Sequence, residues 1–344
     1  MNREHFGKSP KGEEVSLYTL KNERITARIT DFGATLVSLV VKDARGEDRD
    51  VVLGYRSLEP YFDNPACMGA TIAPCANRTA NASYVIDGVR YQMSINDGRN
   101  NLHSDLVNGA HKRVWSLKNE TDSSLTFELE MADGDLGFPG NRTINVTYGI
   151  SEGTLSIEYK IRSDKATVFN PTNHSYFNLS GHASGDILDD WLKLDCTCFT
   201  PVVAGSIPDG SILEVKGTPM DFTEGKTIGR DFDLNYEQLK LTNGYDHNFV
   251  IDGYDGTLRH FATLKSNKTG IVLDGYTTMP GVQVYAGNFV ESNEGKNGAS
   301  YRAHDGVCLE TQFFPNSANQ EGFVSPVING NEEYCYRTEY RFNC

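Results

Sequence analysis

The sequence predicts an all-β protein built as a single large antiparallel β-sandwich. Three observations predict it: several segments alternate apolar and polar residues, Gly, Asn, Asp and Pro punctuate them, and no long segment carries helical periodicity. An alternation of period two places every second side chain on one face of an extended strand, which suits a sheet with one face on a core.

Taken along the chain, the first β-rich stretch is Val37 to Val41, followed by a short helical piece around Arg56 to Tyr61. The segment ASYVIDGVRYQM reads as a hairpin. Leu125, Phe127, Leu129 and Met131 then alternate with polar neighbours. Ile144, Val146, Tyr148 and Ile150 repeat the pattern, and after Ser151-Glu152-Gly153-Thr154 it resumes at Leu155, Ile157, Tyr159 and Ile161, which predicts a hairpin with a short Gly-containing loop. A second helical piece falls at Glu237 to Leu241, and further strands at Phe261 to Leu264, Ile271 to Leu273 and Val282 to Tyr285. The absence of βα alternation argues against a parallel sheet.

A length of 344 residues is compatible with one or two domains at about 150 residues each. No linker or change of composition divides the chain, so residues 1–344 are expected to form one domain. The formal net charge of -14 and the lack of any basic run argue against nucleic acid or an anionic membrane as partner. The charged N-terminus has no apolar signal-peptide core, and no window approaches the ~20 apolar residues of a membrane helix, which points to the cytoplasm. Seven cysteines, scattered and odd in number, are expected to be reduced structural thiols.

The sequence contains no P-loop, no GxGxxG, no HExxH, no GxSxG and no CxxC, which removes the usual signatures of phosphate-cradling and zinc-dependent chemistry. What remains is polar residues at strand ends. Phe169 to Leu179, FNPTNHSYFNL, gathers three asparagines, a serine, aromatics and His174, a density that suggests a polar pocket for a polyol. Taken alone, His174 also fits a hydrogen-bonded core histidine in a turn. Asn77-Arg78 and Leu102-His103 flank the hairpin-like segment, Asp246-His247 sits in NGYDHNF, and Glu310 ends the apolar run GVCLE.

The ordered set NPTNHSYFNLSG, GYDHNFV, PGVQVYAGNFV and LETQFFPNSANQ resembles that of the galactose mutarotases, or aldose 1-epimerases. DFGATLVSLVV, VVLGY, LGFPGN, SIPDGSI, GTPMDF and NEEYCYRTEYRF extend the resemblance over nearly the whole chain. It implies the galactose mutarotase-like sandwich and interconversion of the anomers of a free aldose without cofactor or metal, in a monomer or homodimer. It further implies that His174 is the general acid toward the ring oxygen and Glu310 the general base on the anomeric hydroxyl. Asn77, Arg78, His103, Tyr176, Asp246 and Gln283 match the family's substrate-contacting positions.

Reference values of about 4.3 for Glu and 6.5 for His predict an ionised Glu310 beside a partly protonated His174, with Asp246 raising the histidine further. Two departures from the family pattern stand out. Ala73-Pro74-Cys75 replaces the start of GRxANR, and Leu102-His103-Ser104-Asp105 replaces LHGG, in a loop expected to border the pocket and bear on sugar preference. Three other readings remain open on sequence alone: a non-catalytic sugar-binding module, a sugar-phosphate epimerase, and a glycoside hydrolase with Asp246 opposite Glu310.

Overall fold

In the computed structural model, which describes residues 2–344, the chain forms three main antiparallel sheets. The first has five strands in chain order, Asn2–Lys8, Glu14–Lys21, Ile25–Thr30, Thr35–Lys42 and Asp48–Asp50. The second has nine, with the meander Ser116–Glu120, Ser124–Met131, Arg142–Ser151 and Thr154–Ser163 joined to the C-terminal strand Glu333–Asn343, and beyond it Val272–Thr277, Arg259–Lys265, Trp191–Leu194 and Lys226–Thr227. The third runs Tyr176–Phe177, Val307–Gln312, Gly281–Tyr285, Asp246–Val250, Cys198–Phe199 and Leu213–Glu214.

The period-two segments form the strands expected of them. Leu125, Phe127, Ile144, Val146, Tyr148, Leu155 and Ile157 are all fully buried, while the residues between them are partly exposed. Each such aliphatic side chain contributes roughly 1.5–3 kcal/mol on burial. Ser151 pairs with Thr154, leaving Glu152-Gly153 as a two-residue hairpin loop. A Cβ on Gly153 would come within 2.7 Å of the Phe342 carbonyl oxygen, so the turn packs too closely against the C-terminal strand for a larger residue. The first helical piece lies later than expected, as one turn at Pro60–Asp63 with Arg56 to Glu59 outside it, and the second is a short helix at Glu237–Thr242.

One apolar core joins the nine-stranded sheet to the other two. Tyr18 of the first sheet meets Phe127 edge-on at 5.4 Å, and Phe177 of the third meets Tyr340 at 4.9 Å. Polar tips are satisfied across the same layers: Tyr148 donates to the Ala34 carbonyl and Tyr340 to that of Leu309. The architecture is the all-β antiparallel sandwich that the alternation predicts. All seven cysteines are unpaired. Among the described residues no helix is long and apolar enough to cross a membrane.

Candidate active site

The six-stranded sheet carries the site on one face, and its register fixes which side chains meet. Antiparallel pairing aligns Tyr176 with Cys308, Cys308 with Tyr285, and Tyr285 with Asp246, which makes one row across four strands. Two residues along, on the same face, Glu310 pairs with Gln283 and Gln283 with Asn248. Above these rows lies a cavity of about 310 Å³, lined among others by His174, Tyr176, Asp246, Tyr285 and Glu310 from the sheet side and by Asn77, Arg78 and His103 from the opposite loops.

At the floor the His174 Nε2 lies 3.7 Å from a Glu310 oxygen, both side chains nearly wholly buried. The second Glu310 oxygen is buried without a hydrogen-bond partner. A buried, unsatisfied acceptor beside an imidazole is costly unless a ligand meets it. Behind the ring, the Cys308 sulfur is 3.5 Å from His174 Nδ1, and burial pushes this thiol well above its ordinary value, so it stays protonated and can donate to or accept from that nitrogen. His174, Cys308 and Glu310 bring possible metal-ligating atoms within 4.8 Å of one another. Cys308 and Glu310 nevertheless approach opposite nitrogens of the ring, a poor arrangement for one small tetrahedral ion with bonds of about 2.0–2.3 Å.

The expected charge state is corrected by this burial. His174 is pushed down to about 4 by loss of solvent, and Asp246 does not raise it. Burial, and then the Asp246 charge, push Glu310 well above the ordinary carboxylate range against the pull of Arg78. Burial therefore favours a neutral imidazole and a protonated carboxyl in this pair. Both charged forms are disfavoured for the same physical reason.

His103 is a neutral donor. The Asn77 backbone N–H donates to its Nδ1 at 3.1 Å, which leaves the proton on Nε2, and burial followed by neighbouring positive charge holds the ring well below the usual histidine value. The two residues also share a backbone bond, His103 N–H to the Asn77 carbonyl. Both take left-handed backbone angles, φ 55° and 60°, as does Ser104 at 67°. Ser104 stands where the resembled motif has a glycine suited to that angle, and its hydroxyl holds both the N–H and the carbonyl of Cys75. Arg78 is fixed by Asp97 at 2.7 Å and reaches toward Asp246 at 3.8 Å.

Seven of the eight residues singled out from the sequence line the cavity. Gln283 does not: its amide sits behind Asp246 and donates to it at 2.7 Å. The asparagines of NPTNHSYFN also take another role. Asn170 clasps the Phe313 backbone through both its N–H and its carbonyl oxygen, Asn173 donates to the Gly69 carbonyl and the Tyr148 hydroxyl, and Asn178 donates to the Gly185 and Asp305 carbonyls. They anchor the segment and leave His174 and Tyr176 to face the cavity. Tyr285, Cys67, Leu106, Phe289 and Glu291 also line it and were not singled out. Tyr285 was within reach of the alternation, since it lies two residues from Gln283.

A β-sandwich that aims a buried carboxylate–imidazole pair and a ring of Arg, Asn and His donors into a polar cavity belongs to the class of acid/base enzymes for polyhydroxylated ligands. The aldose 1-epimerase family model matches residues 16–341. Galactose mutarotase of Homo sapiens is 37% identical over 349 residues, covering 100% of this chain and 98% of its own length. Aldose 1-epimerase of Escherichia coli is 36% identical, covering 97% of each. An aldose epimerase homologue from C. elegans superposes with a TM-score of 0.88 at 29% identity, over 96% of this chain and 99% of the other. The chain belongs to the aldose 1-epimerase family and is a carbohydrate isomerase.

Proposed function

We propose that the chain interconverts the α and β anomers of free aldohexoses such as glucose and galactose, with Glu310 as general base and His174 as general acid. The observation that carries this reading is the pair itself: a carboxylate oxygen 3.7 Å from an imidazole nitrogen, with the other oxygen unpartnered at the floor of the cavity. Opening a cyclic hemiacetal needs a proton removed from the C1 hydroxyl and one delivered to the ring oxygen. Glu310 takes the first and His174 gives the second, as the C1–O5 bond breaks to the aldehyde. Rotation about C1–C2 presents the other carbonyl face, and reclosure runs with the proton roles reversed.

The two protonation pairings differ only in where one proton sits. Before opening, the pair is Glu310 carboxylate with His174 imidazolium; afterwards it is Glu310 carboxylic acid with neutral His174. Burial favours the second pairing, the one that ring opening leaves behind. A cyclic sugar supplies the hydrogen bonds that the charged pairing needs. Arg78 and the His103 Nε2–H favour negative charge as it develops on sugar oxygen. Each positioned proton-transfer group contributes about 10²–10⁴ in rate.

Polarimetry or NMR of freshly dissolved α-D-glucose and α-D-galactose tests the proposal. Faster anomer exchange than in buffer supports it, and no acceleration overturns it. We also assign the enzyme to the cytoplasm, a reading supported by its seven unpaired thiols.

A further inference from the structure

Packing alone does not choose which edge of the His174 ring faces the sugar. Its backbone is tied on both sides to the neighbouring segment, the His174 N–H donating to the Ala70 carbonyl and the Gly69 N–H to the His174 carbonyl, each at 2.9 Å. Tyr176 lies against the ring at a centroid distance of 5.1 Å, His103 meets it edge-on at 5.4 Å and Tyr285 at 6.2 Å. These contacts hold the plane, yet an imidazole turned by half a rotation about its Cβ–Cγ bond has nearly the same shape, with carbon and nitrogen exchanged. Polar neighbours break the tie. Glu310 approaches Nε2, and the Cys308 sulfur meets Nδ1 at 3.5 Å. Cys308 is itself wholly buried and sits in the ladder between Tyr176 and Tyr285, so strand register sets its place behind the ring.

The proton route gives the sulfur its role. In ring opening and closure the travelling proton leaves and re-enters His174 at Nε2, the nitrogen on the Glu310 side. The neutral imidazole left by opening must then carry its remaining proton on Nδ1, because a proton on Nε2 would block the return. We propose that Cys308 is a positioning residue whose sulfur accepts a hydrogen bond from Nδ1–H throughout the cycle, fixing the tautomer that keeps Nε2 free to exchange a proton with the sugar. This assignment rests on the roles given to His174 and Glu310 under Proposed function. A thiol suits the task better than the carboxylate or carbonyl more often found behind a working histidine. Burial, then the charges of Glu310 and Asp246, keep the thiol un-ionised, so it adds no third negative charge beside those two groups. As a weak, neutral acceptor it orients the ring without stabilising the imidazolium, which therefore releases its Nε2 proton readily to a poorly basic ring oxygen.

The test pairs kinetics with side-chain NMR on the wild type, Cys308→Ala and Cys308→Ser. Long-range proton–nitrogen spectra of protein carrying labelled histidine, taken at neutral pH, report which nitrogen of each ring is protonated. Among the eight histidines the His174 signal is the one lost in His174→Gln. In the wild type the proton is expected on Nδ1. Cys308→Ala is expected to move the ring toward the Nε2–H form and to lower kcat for glucose about tenfold or more, with KM little changed. Cys308→Ser restores an acceptor and is expected to return the Nδ1–H signal and most of kcat. A wild-type ring protonated on Nε2, a Cys308→Ala enzyme with unchanged kcat or a loss carried by KM, or a serine variant as slow as the alanine one overturns the assignment. A wild type that exchanges no anomers overturns the anomer-exchange reading instead, and the tautomer still decides what Cys308 does.

Discussion

Gln283 stands directly opposite Glu310 in the strand ladder and donates to Asp246 at 2.7 Å, so one amide braces the site's second carboxylate from beside its proposed base. The carbonyl end of that amide accepts from Gln312 at 3.2 Å, which fixes which way the amide points. Asp246 is itself raised by burial, against the opposing pull of Arg78 and then of this hydrogen bond. Gln283→Leu removes the bond and leaves a buried carboxylate short of a donor, an effect of about 1.5–3 kcal/mol. KM is expected to rise about tenfold or more, with kcat less affected. Steady-state kinetics on glucose would expose a loss confined to kcat, which would place Gln283 in the chemical step instead.

Glu310→Gln keeps shape and volume while removing the proposed base. Anomer exchange is expected to fall by about 10²–10⁴. Thermal unfolding should stay near that of the wild type or rise, because the substitution removes a group that burial penalises when charged. Near-normal turnover in a folded Glu310→Gln protein would rule this residue out as the base.

The pH dependence follows from the single shared proton. At low pH the pair gains a second proton as His174 titrates at about 4, leaving no base, and kcat/KM falls. At high pH the pair loses its last proton only above the ordinary carboxylate range, because burial raises Glu310. Between these limits the rate over background should be flat. A fall centred near the ordinary histidine value of about 6.5 would show that the imidazole titrates as if solvated.

Ser104 supplies a stability test away from the chemistry. It is fully buried, and its hydroxyl satisfies both polar backbone groups of Cys75 from a left-handed backbone angle. Ser104→Ala leaves a buried N–H without its partner and is expected to cost about 1–3 kcal/mol in urea unfolding. Ser104→Gly loses the same bonds but relaxes the backbone, so its cost should be smaller. Equal stability of all three proteins would mean that the hydroxyl contributes nothing.

The long meander was legible because one of its faces packs on the core and the other stays partly exposed, so Leu155 to Ile161 alternate as the physics requires. The strand Val307–Gln312 gave no such signal, being buried on both faces. His174, Glu310, Arg78 and Asp246 were found through the ordered motifs. Their neighbour Cys308 meets Tyr176 and Tyr285 through cross-strand register, a nonlocal property that residue spacing does not carry, and Phe289 reaches the cavity from the turn after the Gly281–Tyr285 strand. The asparagine cluster misled for a related reason: an amide that holds distant backbone and one that holds a ligand are the same residue in a sequence.

The strand bearing Glu310 also ties fidelity of folding to competence. Its alternate residues serve the opposite side: Leu309 is packed in the apolar core, and Thr311 bonds Thr338 of the nine-stranded sheet at 2.6 Å. A slip of one residue would drive the carboxylate into hydrocarbon and turn leucine or threonine toward the sugar. A misregistered chain is thus rejected by its own core before it can act as a faulty catalyst. The loops around Ser104 and Phe289 lie outside this ladder, so a change of residue there leaves the strand register unmoved.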